Sequence, residues 1–512
     1  MGTLLECKDL TKSFSGKTAI DHIDLSIESG HIIGLLGPNG SGKTTLIKMI
    51  NGLLTPTSGT LYYKENPIGV ESKRHISYLP DHSYLNMNQR VKEIIAFFQD
   101  FYEDFDSERA YDMLQKLNIN PNDSLKSMSK GTKEKVQLIL VMSRKAELYI
   151  LDEPIAGVDP AARDYILDVI LTNYDPSAFD QEEPVTLVTE GSYIYKNDVH
   201  YIFYSERTDP SLILCGRYPR RGGEIRRCTV PGGIQMLGKL FKYEFKNTYK
   251  LMFIIYGVMA FVTILGCIAM YGDSDPAGTE NQLQEIFFTA AMVFYVLGVF
   301  ALFVVSYVYM CVHFYKTMYS DQGYLTHTLP VGQMSIFNVK LLVSLCWLML
   351  SLIIMFVSIF ALGCAANRGF SFDADFDMLM VDFQNLFGMS LHTFSIYMIF
   401  AMILSCLQYL LMVFASGSIG QLFTKHKVGA SIGAGIVFYM SGQIVSSIIL
   451  VLTGYFGVMN NVNVVTYNAT ENVTFSTTVS SMLFSGSLFS IIECVVFYIV
   501  CMVIIKKHLN LE

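Results

Sequence analysis

The sequence predicts an α/β domain followed by an all-α domain of six membrane-spanning helices, and three observations lead to this prediction. Of the 512 residues, 51% are apolar and 16% are charged, whereas a soluble globular chain carries about 25% charged residues. Residues 1–236 hold 26 of the 37 lysines and arginines, so the charge is concentrated in the first part. A glycine-rich turn follows a short apolar strand there, and six long apolar stretches occupy the second part. This composition excludes a disordered, fibrous or nucleic-acid-coating protein.

The glycine-rich turn lies in residues 32–52, which read IIGLLGPNGSGKTTLIKMING. Gly37, Gly42, Lys43 and Thr44 satisfy the phosphate-loop pattern G-x-x-x-x-G-K-[ST] between a strand and a helix. Glycines let backbone N–H groups surround a β-phosphate, and the dipole of the helix that follows favours the same anion. We therefore expect an α/β P-loop NTPase domain. Its nucleotide contacts are predicted at Gly37, Pro38, Asn39, Gly40, Ser41, Gly42, Lys43, Thr44 and Thr45.

Four side chains at two strand ends are expected to carry the chemistry. Lys43 would bridge the β- and γ-phosphates during catalysis, and Thr44 would offer its hydroxyl to Mg²⁺. A second apolar strand, residues 148–151, runs directly into Asp152 and Glu153. Because the carboxyl ends of such strands meet at one edge of the sheet, Asp152 is expected to hold Mg²⁺, through water. Glu153 would orient or deprotonate the attacking water.

With these motifs, the chain resembles the ATP-binding domain of ABC transporters over residues 4 to about 177. The resemblance implies that the cofactors are ATP and Mg²⁺. Phe14 matches the aromatic residue that stacks on adenine in this family. Ser129 and Gly131 match the signature loop, which contacts the γ-phosphate of ATP held by the partner subunit. Residues 155–159 match the loop that follows the catalytic glutamate.

Two positions depart from the family's pattern. The signature is usually LSGGQ and here reads MSKGT, which keeps Ser129 and Gly131. The loop that senses Mg²⁺ and the membrane domain usually carries glutamine, but YLPDHSYL places Asp81 there. An acid can still meet Mg²⁺ or its water, so we expect a weakened but usable contact. Both variants occur in the branch that pairs with ABC-2-like membrane domains.

A histidine that the family carries is missing. The family's next strand ends in a histidine that touches the γ-phosphate, and the nearest candidate here is Glu190, at the end of LVTE. An acid would repel phosphate, so the histidine's role is not assigned to Glu190. If the chain is read literally, its ATP hydrolysis is in doubt for this reason.

Residues 178–235 form an atypical segment between the ATP-binding domain, 1–177, and the membrane domain, 236–512. The segment holds one lysine and six arginines, whereas the rest of the chain holds 24 lysines and six arginines. Neither helical nor strand periodicity persists, so we expect poor order.

Two explanations of this segment stay open. A basic patch for nucleic acid or lipid is one. The other is translation out of frame by one base, because shifted codons of Cys215–Met236 can encode a helix that resembles the missing end of this ATPase type. A separate membrane subunit would then begin at Met236.

Six apolar stretches without lysine or arginine follow, and each reaches the ~20 residues that a helix needs to cross a bilayer. Helices satisfy their own backbone hydrogen bonds, so six spanning helices are the simplest interpretation. The predicted spans lie near 251–271, 286–312, 341–363, 394–416, 429–456 and 483–505.

The loops between the spans predict the orientation. Arg368 is the one basic residue of the alternate loops, whereas the opposite set is rich in lysine. The positive-inside rule then predicts a multi-pass protein of the cytoplasmic membrane with its ATPase domain and both termini in the cytoplasm. The lysines of the opposite set are Lys239, Lys242, Lys246, Lys250, Lys316, Lys340, Lys425, Lys427, Lys506 and Lys507.

A few polar residues of the predicted membrane domain can be assigned candidate roles. Glu493 lies inside the last span, where an ionisable group is either functional or a protonated or interface-facing glutamate. Gln408 and Gln443 are expected to link helices rather than to bind substrate. Residues 320–333, SDQGYLTHTLPVGQ, look like the cytoplasmic loop of the ABC-2 branch, which presses on the ATPase domain. The alternative is a plain loop between spans.

These features together predict an ATP-driven transporter of ABC-2 type, an exporter by resemblance. Two copies of each half would form a dimer in membrane lipid, with an unknown transported substrate and no nucleic-acid partner. A membrane-bound ATPase that acts as a sensor or regulator without transport is the alternative. A soluble ABC-type ATPase acting on ribosomes or DNA is disfavoured by the six spans.

Overall fold

The computed structural model describes residues 3–14, 16–29, 32–36, 40–152, 186–190, 199–203, 233–272, 282–366, 390–423, 426–462 and 470–511. The chain divides into two compact units. The sheet unit comprises Met1–Tyr243, Lys316–Phe337 and Ile505–Glu512. The helical unit comprises Glu244–Tyr315 and Asn338–Ile504.

Two β-sheets form the frame of the sheet unit. The strands are β1 (Thr3–Phe14), β2 (Lys17–Glu28), β3 (Ile32–Leu36), β4 (Ser58–Tyr63), β5 (Asn66–Pro67), β6 (Ile76–Leu79), β7 (Leu148–Leu151), β8 (Thr186–Glu190) and β9 (Val199–Phe203). One sheet has the order β2–β1–β4–β5 and is antiparallel. The other has the order β6–β7–β8–β3–β9 and is parallel. A parallel sheet whose strands alternate with helices is the α/β domain that the sequence predicts.

Five helices in the described part of the chain accompany these strands: α1 (Lys43–Ile50), α2 (Val70–His75), α3 (Val91–Phe101), α4 (Ser107–Lys116) and α5 (Lys130–Met142). Helix α3 buries Val91, Ile94, Ile95 and Phe98, a spacing that places them on one face. Helix α5 buries every residue from Val136 to Met142, and the Ser77 hydroxyl of β6 donates to the carbonyl of Val141 at 2.9 Å. The core of the unit therefore lies between these helices and the parallel sheet.

Two strands of the parallel sheet lie in the segment 178–235. Strand β8 is inserted between β7 and β3, and β9 pairs with the other side of β3. Within the segment for which the sequence predicts poor order, residues 186–190 and 199–203 are therefore β-strands. Strands of five residues within a parallel sheet need not alternate between polar and apolar side chains, so periodicity could not reveal them. The rest of the segment, up to residue 232, lies outside the described residues, and the domain limits stay predictions.

Among the residues that the structure describes, six long helices have the length and composition to cross a membrane, as the sequence predicts. They are α6 (Gly233–Gly272), α7 (Gln282–Tyr319), α9 (Gln333–Ala366), α10 (Leu391–Gly420), α11 (Lys427–Val462) and α12 (Thr470–Lys507). The short helix α8 (Asp321–Thr328) belongs to the sheet unit. The long helices extend past several of the predicted spans, because a stretch free of lysine and arginine marks the apolar centre of a helix rather than its polar ends.

A charged cluster lies inside the helical unit. Glu244 accepts hydrogen bonds from His313 at 2.8 Å and from Lys340 at 3.0 Å. The side chain of Lys340 is only 6% exposed, so this lysine of the predicted loop set is instead a buried ion-pair partner within α9. Burying a charge is tolerable only when it is paired and hydrogen-bonded, and this cluster meets that condition.

Candidate functional site

The described part of the phosphate loop has the geometry that its glycines predict. Strand β3 ends at Leu36, and α1 begins at Lys43 with Gly42 as its N-cap at φ 94°. A Cβ atom at Gly42 would lie 2.4 Å from the carbonyl oxygen of Ala19, so only glycine fits. Gly37, Pro38 and Asn39 lie outside the described residues.

Polar groups of the loop are enclosed at the start of α1. Ser41 is 3% exposed and Lys43 is 7% exposed. Among the described residues, the Ser41 hydroxyl oxygen has no hydrogen-bond partner. Thr44 and Thr45 follow in the first turn, whose backbone N–H groups have no partner within the helix. A helix start with a buried lysine and a buried hydroxyl suits a phosphate anion.

The two predicted metal-binding acids lie at neighbouring strand ends. Leu79 of β6 is in register with Leu151 of β7, and the N–H of Asp152 donates to the carbonyl of Leu79 at 2.9 Å. Asp152 is 1% exposed, and Asp81 follows β6 by two residues. Both acids thus come after adjacent parallel strands, at the edge that the sequence predicts. Glu153 and residues 155–159 lie outside the described residues.

Asp81 is held in its ionised form. Its carboxylate accepts a hydrogen bond from Nδ1 of His82 at 2.5 Å. This bond lowers the pKa of Asp81, and the nearby positive charge of Lys48 adds to the effect, while partial burial opposes it. A carboxylate that stays charged is the form that Mg²⁺ or its water would meet.

Glu190 ends the strand between β7 and β3. In register it lies beside Leu35, next to the start of the phosphate loop. Strand β8 therefore ends in an acidic residue beside the strand that leads into the phosphate loop. This is the strand end nearest both Asp152 and the phosphate loop.

Phe14 lies at the end of β1 in the antiparallel sheet. The ammonium of Lys12 lies 5.0 Å from the centre of its ring, and Lys12 also donates to the carbonyl of Thr55 at 2.7 Å. The ring is half-buried.

Ser129 caps helix α5, a role that the sequence motif did not reveal. Its hydroxyl oxygen accepts the N–H of Thr132 at 3.2 Å. Ser129 is exposed, and Gly131 lies in the first helical turn. The predicted signature residues thus form an exposed helix N-terminus, which a phosphate group could approach from outside the domain.

Residues 320–333 contact the domain beside Asp81. The ring of Tyr324 packs edge-on against His82 with the centroids 4.5 Å apart. The ammonium of Lys48, on the phosphate-loop helix α1, lies 5.6 Å from the same ring. The His82 carbonyl accepts a hydrogen bond from the Gln137 amide of α5 at 3.1 Å. The ring of Tyr324 therefore contacts His82, which neighbours Asp81 and is hydrogen-bonded to helix α5, and it lies near Lys48 of the phosphate-loop helix α1.

Residues 509–511 hold this segment from another side. Asn510 forms an antiparallel bridge with Leu54, and the N–H of Thr55 donates to the carbonyl of Leu509 at 3.2 Å. The Tyr324 hydroxyl donates to the carbonyl of Leu511 at 2.9 Å. The sequence gives only a weak sign of this contact, because two leucines follow a pair of lysines there.

Comparison with known proteins agrees with this geometry. Residues 20–156 match the family model described as ABC transporter. YhaQ of Bacillus subtilis, an ABC transporter ATP-binding protein, is 35% identical over 162 residues, which are 31% of this chain and 54% of YhaQ. The lipopolysaccharide export system ATP-binding protein LptB of Escherichia coli is 29% identical over 167 residues, 30% of this chain and 69% of LptB.

A third relative is the probable multidrug ABC transporter ATP-binding protein YbhF of Escherichia coli. It is 32% identical over 171 residues, which are 31% of this chain and 29% of YbhF. The chain thus spans about half the length of YhaQ, at 54%, and less of YbhF. Each of the three matches covers less than a third of this chain.

Proposed function

We propose that this chain is half of a dimeric, ATP-hydrolysing transporter of ABC-2 type. The premise is that residues 20–156 match the ABC transporter family model. The observation that supports this proposal best is the contact of Tyr324 with His82 beside Asp81. That contact connects a segment between two long apolar helices with the nucleotide-binding edge of the sheet. Transport needs such a connection, because ATP chemistry must bias two states of the helices.

The proposed reaction gives each site residue a role. The phosphate loop and Lys43 would bind the phosphates of ATP, and Thr44, Asp152 and Asp81 would hold Mg²⁺ or its waters. An ion held there would supply positive charge against the charge that develops on the phosphates. Glu153 positions the attacking water and accepts its proton. Ser129 and Gly131 of a second copy close over the γ-phosphate, so two ATP molecules are enclosed between two domains.

The direction and location form part of the proposal. Lysines flank the long helices on one side, which favours a cytoplasmic ATPase domain in the cytoplasmic membrane. Export is proposed because the names of two relatives describe lipopolysaccharide export and multidrug transport.

A Glu153→Gln variant of the full chain in lipid vesicles tests the proposal. ATP should remain bound, while hydrolysis and transport stop, because a water without its base reacts slowly. Glu103→Gln is the matched control, since Glu103 is exposed and distant in sequence from every predicted site residue. Unchanged hydrolysis in Glu153→Gln would contradict the assignment of the base. Hydrolysis by the unaltered chain without movement of any tested substrate would favour the sensor alternative.

A further inference from the structure

Helices α10, α11 and α12 line a half-open cavity of about 180 Å³ within the helical unit. Each helix contributes one amide or carboxyl side chain to its wall: Gln408, Gln443 and Glu493. A single water needs only about 10–15 Å³ measured in the same way, so the cavity can hold a small organic group. Three polar side chains that converge from three helices are a pattern of recognition rather than of simple packing.

The described wall of the cavity contains one carboxyl side chain, Glu493, and no basic partner for it. Gln408 donates a hydrogen bond to Oε2 of Glu493. The residues of the cavity wall, all of which the structure describes, include no lysine, arginine or histidine. A carboxylate can accept about four hydrogen bonds, and one neutral amide cannot neutralise it. Because an ionisable group within a span is costly, the site favours an occupant that brings positive charge.

Aromatic rings add a second preference. Phe438 and Phe497 lie in the wall with their ring centroids 5.1 Å apart, and Tyr439 lies beside them. A Cβ atom at Gly442 would lie 2.7 Å from Oε1 of Glu493, so glycine allows the carboxylate to reach this wall. A carboxylate combined with aromatic faces matches an ammonium group, whose charge interacts with the π-systems.

We propose that this cavity binds an organic cation with a compact quaternary or protonated ammonium group, through Glu493 and the aromatic wall. As the cargo site, the cavity rests on the proposed transport function, but binding itself needs no ATP. The ammonium group can come from a soluble amine or from a lipid headgroup, and the test separates the two sources.

The test is calorimetric titration of choline into the full chain in phosphatidylglycerol nanodiscs without nucleotide. Choline should bind, and its uncharged isostere 3,3-dimethyl-1-butanol should not. Glu493→Gln keeps the shape and should weaken choline binding by at least about tenfold, since a desolvated charge partner is lost. Phe438→Leu keeps the charge and should weaken it by a smaller factor. Melting temperatures of both variants show whether they fold.

Each outcome has one meaning. Equal binding of choline to Glu493→Gln, equal binding of the neutral isostere, or the absence of choline binding would overturn the proposal. If phosphatidylcholine nanodiscs abolish the choline signal, the lipid headgroup is the occupant, and if the signal persists, it is a soluble amine. If choline binds as proposed but no substrate moves with ATP, the transport function fails while the binding site stands.

Discussion

The imidazole of His82 meets the ring of Tyr324 edge-on, with 4.5 Å between the ring centroids. His82 also holds Asp81 through Nδ1 and accepts the amide of Gln137 on its carbonyl. Tyr324 is 5% exposed, so the ring fills a site in the domain rather than resting on its surface. A change of charge at Asp81 would therefore affect the packing of Tyr324 through one intervening residue, His82.

Removing the Tyr324 ring should uncouple hydrolysis from transport. We expect Tyr324→Ala to lower the substrate moved per ATP by roughly tenfold, the scale of a typical coupling free energy, with ATP affinity little changed. Tyr324→Phe keeps the ring on His82 and loses only the hydroxyl bond to Leu511. It should therefore have a smaller effect. Parallel hydrolysis and flux assays in vesicles measure the ratio, and an unchanged ratio in Tyr324→Ala would argue for a plain loop.

Gly42→Ala should abolish ATP binding. The backbone at Gly42 has φ 94°, and the new Cβ would meet the Ala19 carbonyl at 2.4 Å. Gly16→Ala is the matched control, because Gly16 has φ 88° but nothing lies within 4 Å of its Cβ position. The control bears only the left-handed strain of about 1–2 kcal/mol. Fluorescent ATP binding distinguishes them, and equal affinities would show that the close approach does not shape the loop.

Ser129 can be tested in two ways that separate its cap from its proposed phosphate contact. Ser129→Ala should cost about 1 kcal/mol of stability through the lost cap. Ser129→Asp keeps a good cap, yet its charge should repel the γ-phosphate and prevent ATP-driven closure of two domains. Melting temperature reports the first effect, and crosslinking of trapped dimers reports the second. Normal ATP-dependent dimers in Ser129→Asp would remove the residue from the signature role.

The His75–Glu147 pair should give the protein a pH-dependent stability. Burial raises the pKa of Glu147, but hydrogen bonds from His75, Lys64 and Tyr63 outweigh it and lower the pKa to about 2. The same bond raises the pKa of His75. The contribution of Glu147 is present above its ordinary pKa of 4.5 and is lost as pH falls towards about 2. That of His75 is present below 6.5 and is lost as pH rises through its raised pKa.

Stability from this pair is therefore greatest between pH 4.5 and 6.5. His75→Gln should lower the melting temperature most within this window and least at alkaline pH. We expect the difference to be about 1–3 °C, because His75 is partly exposed and solvent screens the pair. A constant difference across pH would contradict this linkage.

The reading frame of residues 178–235 has a direct test in the gene. A one-base shift predicts that resequencing codons 170–240 yields an ATPase that regains its histidine and ends near residue 236, followed by a separate membrane subunit. Strands β8 and β9 precede the shifted codons of Cys215–Met236, so their pairing with β3 does not decide between the two reading frames. DNA that keeps one frame would leave Glu190 as the true end of β8.

Local sequence patterns are sufficient to predict the phosphate loop, the six long helices and a buried strand of this protein. The spacing of Gly37, Gly42 and Lys43 predicts the phosphate loop, because a helix start must follow a turn that only glycine can make. Apolar length predicts the six long helices, because a bilayer sets the number of residues required. Residues 148–151 predict a buried strand because they are an apolar run that leads directly into two acids. This strand is β7 of the structure.

Tertiary structure alone decided how these parts meet. His82 and Tyr324 are separated by more than two hundred residues, and no periodicity records their contact. The sequence pattern places Lys340 in a loop, whereas in the structure Lys340 pairs with Glu244. The sequence shows Glu493 as an isolated acid, whereas in the structure it shares a cavity wall with residues of two other helices. Patterns within one element report which face is apolar, whereas contacts between elements depend on packing that brings distant residues together.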